Sequence, residues 1–378
     1  MTSDSEEPRV ALVAEGAVWG GIESYLEVLG SQAQRQNFHL EIWLLYEGLL
    51  QERLARWPGI STRVIPARSH LGRSLWMRRR MREQCIQVLH AHGMVPEILC
   101  AISGYFNGAR LVSTVHSAPG RTPFSAPGRS LWSSGALWLA RRSAQHRIVA
   151  VTAEIAEILT DSGLSRSKIR VVPNSVSLEN VGNSEERATF RRSDGVGADD
   201  FVVGIVGRLD PIKGHRRLFG AALALAQKKV PIRVWVIGEG PIRRELEDFC
   251  QQRGLTEIVR FWGFREDVKQ LMPALDVGVF CSDHEGMPFA ALELQAAGVP
   301  LVARDVGGLS ELVSHNRTGL LYPPNEPIGL ARSLESLYLD RHLAAKLADG
   351  AQESLRATRS AGQFLDRTAE VWTEVLRP

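Results

Sequence analysis

The sequence predicts an α/β protein of two domains, each built on a parallel β-sheet with helices packed against it. With 378 residues, the chain has about two to three times the length of a typical domain. Short apolar runs recur along it, separated by stretches long enough for a helix, and this alternation is typical of a parallel sheet. The alternation stops in a polar, charged segment at residues 176–200 and then resumes, which places the domain boundary there.

The apolar runs predict six strands in the first domain and five in the second. Those of the first domain are expected at residues 9–14, 40–45, 62–65, 88–91, 111–115 and 147–151. Those of the second are expected at residues 201–206, 232–237, 259–262, 277–280 and 300–303. Helices are predicted at residues 22–36, after a glycine turn, and at residues 363–376. We therefore assign residues 1–180 to the first domain and 181–362 to the second, with the C-terminal helix as a candidate to pack back on the first.

Composition restricts the class of protein. Four cysteines occur singly, without a C-x-x-C pair, which argues against a disulfide framework and against a zinc knuckle. No run of 18 apolar residues is free of charge, so no membrane-spanning helix is expected. Residues 1–8 are polar and lack the apolar core of a signal peptide, so we expect a cytoplasmic location.

The net charge of +3 hides an uneven distribution. Residues 60–150 contain 13 arginines, no lysine and two glutamates, a local charge of +11 that the rest of the chain offsets. A basic region confined to one domain indicates an anionic partner, which could be a membrane surface, a diphosphate lipid or a nucleic acid.

The segment G-I-V-G-R-L-D-P-I-K-G-H at residues 204–215 predicts a strand, a glycine turn and a helix that begins near His215. Glycine lets a backbone approach a phosphate closely, and a helix N-terminus offers unpaired N–H groups to it. Arg208 could fork onto phosphate oxygens while Lys213 adds a point charge. Taken alone, the two cations could equally be solvated charges beside a turn.

Two glutamates follow the predicted strand at residues 277–280. Glu285 lies on the loop at the carboxyl end of that strand, where open parallel sheets bind ligands. Glu293 is expected a little over two turns into the next helix. One carboxylate could face a sugar and the other could accept ribose hydroxyls. The alternative is that Glu293 only forms an ion pair on a helix face.

These motifs resemble glycosyltransferase family 4, which adopts the GT-B fold, an α/β architecture of two Rossmann-like domains facing each other across a cleft. The motifs run from residue 203 onward and are G-R-x-x-x-x-K-G at residues 207–214, E-x7-E at 285–293, A-x-G-x-P at 296–300, G-G-x-x-E at 307–311 and T-G-L-L at 318–321. The first half is similar in a glycine loop at residues 20–23, an H-x-H segment at residues 90–92 and His116 at a strand end. Residues 172–174 resemble a family turn, although Ser175 and Ser177 replace its glycine and aspartate.

The resemblance implies a retaining transfer from a nucleoside-diphosphate sugar, UDP- or GDP-linked, without a cofactor or a metal. Arg208 and Lys213 would stabilise the departing diphosphate, and the absence of any D-x-D pair agrees with a site that uses no metal. Glu285 would bind the donor sugar and Glu293 the ribose, and neither is identified as a nucleophile. His116 would reach the donor from the first, acceptor-side domain, whereas His90 and His92 are interpreted as structural. The remaining donor contacts would be Gly21, Gly207, Gly286, Met287, Pro288 and Phe289.

The basic region mixes arginines with large apolar residues. Arginines at positions 68, 73, 78, 79, 80 and 82 surround Leu71, Leu75, Trp76 and Met81, and residues 132–142 repeat the mixture. Such a segment suits an anionic lipid surface, although a solvated, arginine-rich helix is the alternative. Nucleic-acid binding is disfavoured because no binding motif accompanies the charge.

We therefore expect a cytoplasmic enzyme, peripheral at the inner face of the membrane, that transfers a hexose-type sugar to a lipid-linked glycan. Transfer to a small soluble acceptor is the alternative reaction. A non-catalytic sugar-nucleotide-binding protein is the alternative class, and the intact set of Arg208, Lys213, Glu285 and Glu293 argues against it.

Overall fold

The computed structural model describes residues 7–17, 20–35, 38–105, 107–118, 135, 137–179 and 182–377. The chain divides into two compact units. The first unit comprises Met1–Asn174 and Ala361–Pro378, and the second comprises Ser175–Ser360. The sequence placed the first boundary at residue 180 and assigned residues up to 362 to the second domain.

The described part of the first unit contains a seven-stranded parallel sheet in the order β3-β2-β1-β4-β5-β6-β7. Its strands are β1 (Arg9–Ala14), β2 (His39–Leu44), β3 (Ile60–Val64), β4 (Val88–His92), β5 (Arg110–Val115), β6 (Arg147–Ala150) and β7 (Ile169–Val171). Six of them coincide with the predicted apolar runs to within a few residues. The seventh, β7, was missed because three residues are too few for a hydrophobic pattern.

The helices of this unit are α1 (Gly21–Gly30), α2 (Leu49–Leu54), α3 (His70–Glu83), α4 (Met94–Tyr105), α5 (Ala153–Asp161) and α14 (Ala361–Leu376), with a π-helical turn at Ala140–Ala144. The prediction that the first helix runs to residue 36 was wrong. The helix ends at Gly30, where Ser31 N–H donates to Glu27 O, and a 3-10 turn follows at Ala33–Arg35. Residue 36 itself lies outside the described residues.

The second unit contains, among its described residues, a six-stranded parallel sheet in the order β10-β9-β8-β11-β12-β13. Its strands are β8 (Phe201–Val206), β9 (Ile232–Ile237), β10 (Val259–Gly263), β11 (Val277–Phe280), β12 (Leu301–Arg304) and β13 (Leu320–Tyr322). Its helices are α6 (Ser184–Ser193), α7 (His215–Gln227), α8 (Arg243–Gln252), α9 (Val268–Leu271), α10 (Phe289–Ala296), α11 (Gly308–Leu312), α12 (Gly329–Leu339) and α13 (Arg341–Thr358).

Both sheets reverse their strand order at one point, and the candidate site residues follow the strands that flank it. In the second sheet the reversal lies between β8 and β11, and in the first between β1 and β4. Chain segments that leave the carboxyl ends of such strands diverge, and they leave a crevice that open α/β sheets use to bind ligands. The loops after β8 and β11 carry Arg208, Lys213 and Glu285.

Candidate active site

A glycine loop follows β8 and packs backbone to backbone on the loop that follows β9. Gly207 N–H donates to Ile237 O over 2.9 Å, and Leu209 N–H donates to Glu239 O over 2.9 Å. Gly238 has φ 141°, and a Cβ added there would lie 2.0 Å from Gly207 O. The second loop must therefore have glycine at position 238 for the first to keep its shape, a requirement that the sequence motifs did not reveal.

We expect Gly238→Ala to lower the free energy of unfolding by about 1–3 kcal/mol, because it combines a strained φ with a clash against backbone. Gly220→Ala is the matched control, since Gly220 lies within α7 and an added Cβ would meet no atom within 4 Å. There alanine should raise stability by up to about 1 kcal/mol through helix propensity. Urea unfolding of both variants measures the difference. Equal stability of the two would contradict the packing argument.

Of the two cations of the glycine loop, Arg208 precedes a 3-10 turn and Lys213 is its last residue. The Asp210 side chain accepts from Ile212 N–H and begins this turn, Pro211–Lys213. Gly214 then adopts φ 69°, and α7 begins at His215, as predicted. A nitrogen of Arg208 lies 3.7 Å from Asp210 Oδ2, and the Arg208 side chain is 41% exposed. A guanidinium in this position is accessible to an anionic ligand.

Lys213 and Glu285 form an ion pair that links the loops after β8 and β11. Lys213 Nζ donates to Glu285 Oε1 over 2.6 Å, and Ser282 Oγ donates to the same oxygen over 2.5 Å. Glu285 is 8% exposed, and its carbonyl accepts from Gly308 N–H at the start of α11. Within the described residues Oε2 makes no hydrogen bond. One carboxylate oxygen is thus fixed by the protein, and Ser282 is a partner that the sequence reasoning missed.

Asp283 holds the two loops together. Its N–H donates to Ile212 O over 2.8 Å, and its Oδ1 accepts from Arg217 over 2.6 Å and from Arg304 over 2.5 Å. Arg217 lies on α7 and Arg304 ends β12. Charge-assisted hydrogen bonds from two directions fix the loop that presents Glu285.

Glu293 lies at a separate point of the same unit. It is the fifth residue of α10 rather than more than two turns into a helix, because the backbone is extended at Pro288 and α10 starts only at Phe289. Glu293 Oε1 is 3.6 Å from Lys269 Nζ. Both residues line a small cleft, together with Val176, Ser177, Glu179, Met272 and Ala296. Glu285 and Glu293 therefore pair with different lysines.

The segment at residues 286–289 differs in one respect from the predicted row of donor amides. Pro288 has no amide hydrogen, and its carbonyl instead accepts from Ala291 N–H at the start of α10. The side chains of Met287 and Phe289 are buried, with exposed fractions of 3% and 5%. Backbone N–H groups for a ligand can come only from Gly286, Met287 and Phe289 in this segment.

In the first unit, Gly21 begins α1 directly after Gly20, whose backbone is extended. Glu23 in the first turn of this helix is 6% exposed. Burial raises the pKa of Glu23 to about 7, and N–H groups of Glu23, Gly20 and Gly16 oppose that rise. The carboxyl group of Glu23 is thus held against backbone N–H groups at the start of α1, in the segment at residues 20–23 for which the sequence assigned a role only to Gly21.

Three histidines form a row at the carboxyl ends of β4 and β5. His92 Nδ1 and His116 Nε2 are 3.2 Å apart, and His90 Nε2 is 2.7 Å from Thr114 Oγ1. His90 and His92 are fully buried, whereas His116 is half-buried. Burial lowers the pKa of His90 to about 3 and that of His116 to about 4, and it holds the pKa of His92 well below its usual range. All three rings are neutral at pH 7.

Two further features concern metals and membranes. Among the residues that the structure describes, no group of three or more His, Cys, Asp or Glu side chains is arranged to hold a metal ion. Within the same ranges, no helix has the length and the apolar composition needed to cross a bilayer.

Comparison with known proteins covers both halves of the chain. Residues 19–180 match the family model described as Glycosyltransferase Family 4, and residues 186–354 match the model described as Glycosyl transferases group 1. A D-inositol 3-phosphate glycosyltransferase of Pseudarthrobacter chlorophenolicus is 30% identical over 321 residues, which cover 79% of this chain and 72% of that protein. The enzyme of the same name from Corynebacterium urealyticum is 33% identical, over 61% of this chain and 56% of its own length. The chain spans about half the length of several such relatives.

The fold has solved counterparts. HepE of Anabaena, solved in complex with UDP, superposes with a TM-score of 0.82 at 22% identity, over 97% of this chain and 100% of that one. Sucrose-phosphate synthase of Thermosynechococcus elongatus gives a TM-score of 0.81 at 18% identity, over 98% of this chain and 99% of that one. The two Rossmann-like sheets are those of the GT-B fold, as the sequence predicted, and the chain belongs to glycosyltransferase family 4.

Proposed function

We propose that this protein is a glycosyltransferase that moves a sugar from a nucleoside-diphosphate sugar to an acceptor, with retention at the anomeric carbon and without a catalytic metal. The observation that carries the proposal is the group formed by Lys213, Glu285 and Ser282 at the reversal point of the second sheet, beside the accessible Arg208. Such a group combines fixed positive charge with one unshared carboxylate oxygen.

The two cations suit the leaving group. Negative charge grows on the diphosphate as its bond to the sugar breaks, and fixed positive charge beside it stabilises that transition state. Arg208 and Lys213 are 41% and 28% exposed, so a ligand can reach them, and their loop is fixed by Gly207 and Asp283. This arrangement supplies the charge that a divalent metal supplies elsewhere.

Glu285 suits the sugar. Its Oε1 already accepts from Lys213 and Ser282, whereas its Oε2 is left to accept from a sugar hydroxyl. For retention, the bond from the anomeric carbon to the phosphate oxygen breaks on the face where the bond to the acceptor oxygen forms. The acceptor proton then passes to the departing diphosphate. We also propose His116 and Gly21 of the first unit as donor contacts, because the chain belongs to glycosyltransferase family 4.

Glu293 and Lys269 suit the nucleoside. They line the small cleft in the second unit, where the carboxylate could accept ribose hydroxyls. We propose a UDP- or GDP-linked donor, and HepE, solved with UDP and with UDP-glucose, favours UDP.

A thermal-shift panel tests the donor. UDP at about 100 times its dissociation constant should stabilise the native state by about 2.7 kcal/mol through mass action. ADP serves as the matched nucleotide control, and GDP is the alternative that the sequence left open. Stabilisation by neither UDP nor GDP would contradict the proposed donor class. Transfer of labelled sugar from the identified donor, measured with and without a chelator, then separates an enzyme from a protein that only binds sugar nucleotides.

We propose a lipid-linked glycan as the acceptor, with the protein peripheral at an anionic membrane. The basic helix α3 supports this proposal in a form that differs from the sequence prediction. Arg73 is buried and donates to Ala67 O and Leu45 O, and Arg80 donates to both oxygens of the buried Glu41. Both arginines bind partners within the unit, so neither is available to a membrane.

The exposed face of α3 still mixes arginines with large apolar residues. Leu71 and Leu75 are 71% and 54% exposed. Arg79 and Arg82 continue the same helical face at spacings of four and three residues and are exposed, with Arg79 in an ion pair with Glu83. Arg68 is exposed just before the helix. A stripe of two leucines and three arginines suits the headgroup layer of an anionic bilayer.

The neighbouring elements extend this surface. Helix α3 packs against α4, and α4 packs against the π-helical turn. Ile102 on α4 is 48% exposed, and Trp138 and Leu139 before the turn are 39% and 58% exposed. Arg141, predicted to belong to the basic surface, is instead buried in a two-bond pair with Glu97. Trp132 lies outside the described residues.

We expect co-sedimentation with liposomes that contain anionic lipid, and weaker binding as salt rises. Replacing Arg68, Arg79 and Arg82 with serine should weaken binding about 100-fold, since each basic residue near the surface contributes roughly 1 kcal/mol. Replacing the exposed Arg56, Arg244 and Arg356 with serine makes the same charge change elsewhere and should leave binding intact. Arg80 is left unchanged, because its loss would leave Glu41 as a buried, unpaired charge.

Equal loss of binding in the two triple variants would contradict a specific surface, as would equal binding to neutral liposomes. Either result would favour the second candidate, transfer to a small soluble acceptor. Two relatives, named for D-inositol 3-phosphate and for 2-deoxystreptamine, support that candidate.

A further inference from the structure

The histidine row of the first unit is enclosed on the side of the C-terminal helix. Trp372 on α14 donates its Nε1–H to His90 Nδ1 over 3.1 Å. The Tyr25 ring packs against His92 at 4.6 Å and against His116 at 5.2 Å between centroids, and Phe364 packs on Tyr25. A buried row of this kind restricts where each ring can carry its proton.

The position of the proton on His90 follows from its partners. The indole of Trp372 can only donate, so Nδ1 of a neutral His90 must be the acceptor and its proton must sit on Nε2. That Nε2–H then donates to Thr114 Oγ1, 2.7 Å away. Each ring nitrogen of His90 has a partner, so this ring has one tautomer.

His92 and His116 share one hydrogen bond, and either ring could donate it. His92 Nε2 is buried and has no partner among the described residues. A proton on Nε2 would make it a buried N–H without an acceptor. Such groups are rare in proteins, and they cost more free energy than a buried nitrogen lone pair without a donor. The proton of His92 therefore belongs on Nδ1, which donates to His116 Nε2.

We infer that His92 is a positioning residue that fixes the ring and the tautomer of His116, so that His116 presents its Nδ1–H to a substrate oxygen. This inference rests on the proposed function only in assigning His116 to the substrate. Within the described residues His116 Nδ1 makes no hydrogen bond, so its proton is available to a ligand. Burial lowers the pKa of both rings, which keeps the shared bond between two neutral groups near pH 7.

Nitrogen chemical shifts of 15N-histidine-labelled protein test the tautomers without any activity measurement. We expect His90 to carry its proton on Nε2, and His92 and His116 to carry theirs on Nδ1. Signals are assigned by their loss in His116→Gln and His92→Asn variants. A proton on Nε2 of His116 would overturn the inference, whatever reaction the protein catalyses.

Kinetics test the positioning role. Asparagine at position 92 places an amide N–H close to the position of Nδ1, whereas phenylalanine fills the space without a donor. We expect His92→Phe to lower kcat by about 10-fold, which corresponds to the loss of one neutral hydrogen bond. His92→Asn should keep most of the wild-type kcat. UDP affinity, which we assign to Arg208, Lys213 and Glu293 and not to His92, should remain that of the wild type in both.

A double-mutant cycle separates positioning from packing. If His92 acts through His116, His92→Phe should have no further effect on kcat in a His116→Ala background. Additive losses in the cycle would overturn the inference and assign His92 to packing alone. If wild-type protein transfers no sugar from any donor, the proposed function fails, yet the nitrogen shifts still decide the tautomers.

Discussion

Replacing Lys213 with alanine is expected to lower kcat at saturating donor by about 10²-fold or more. Lys213 acts on charge that grows as the diphosphate departs, and removing one such donor from a preorganised site costs about 3–4 kcal/mol of transition-state stabilisation. The substitution also leaves Glu285 Oε1 with Ser282 as its remaining hydrogen-bond donor. Arg208→Ala should act in the same direction, because its guanidinium is the second accessible cation of the loop. Steady-state transfer kinetics measure both.

Arg216→Ala is the matched control for the substitutions of Arg208 and Lys213. Arg216 lies three residues after Lys213 and pairs with Glu245, but both side chains are more than half exposed, so their ion pair contributes little. Its loss should leave kcat and donor affinity unchanged. Near-normal turnover in Lys213→Ala would contradict the assignment of Lys213 to the departing diphosphate. Loss of activity in a strong chelator would contradict the part of the proposal that excludes a catalytic metal.

The parallel sheets were predictable because strands covered on both faces are apolar throughout. Residues 201–206, for example, are buried from Phe201 to Ile205, so their boundaries could be read from the sequence. The same holds for the glycine loop and for Glu285, which lie in the loops that follow such strands. Residues placed by a strand and its first turn have positions that local sequence determines.

The sequence could not reveal contacts between residues far apart along the chain. The sequence assigned Arg80 and Arg141 to a basic surface. In the structure Arg80 pairs with Glu41, and Arg141 pairs with Glu97. Both partners lie about 40 residues away on another element. Gly238 likewise matters only because Gly207 packs against it. For charged side chains, burial is decided by tertiary partners, and neither charge nor spacing discloses those partners.

Removing Glu285 and removing Glu293 should have opposite effects on binding and on transfer. Glu285→Ala is expected to leave the affinity for free UDP near that of the wild type and to lower transfer by at least about 10²-fold, since its free oxygen is proposed to meet only the sugar. Lys213 loses its partner in this variant, but it is 28% exposed, so water can solvate the ammonium group and the loop can keep its fold. Calorimetry with UDP and turnover with the full donor measure the two effects.

Glu293→Ala is expected to weaken binding of UDP itself by about 10- to 100-fold, the range for a lost hydrogen bond to a charged group. Turnover at saturating donor should change less, because the ribose contact is the same in the ground state and the transition state. Glu293→Gln keeps an acceptor oxygen in the cleft beside Lys269 and should recover part of the affinity, which separates a hydrogen bond from simple packing. The reverse pattern, with UDP affinity lost in Glu285→Ala and kept in Glu293→Ala, would exchange the two roles. It would place the nucleoside beside Lys213 and the sugar beside Lys269.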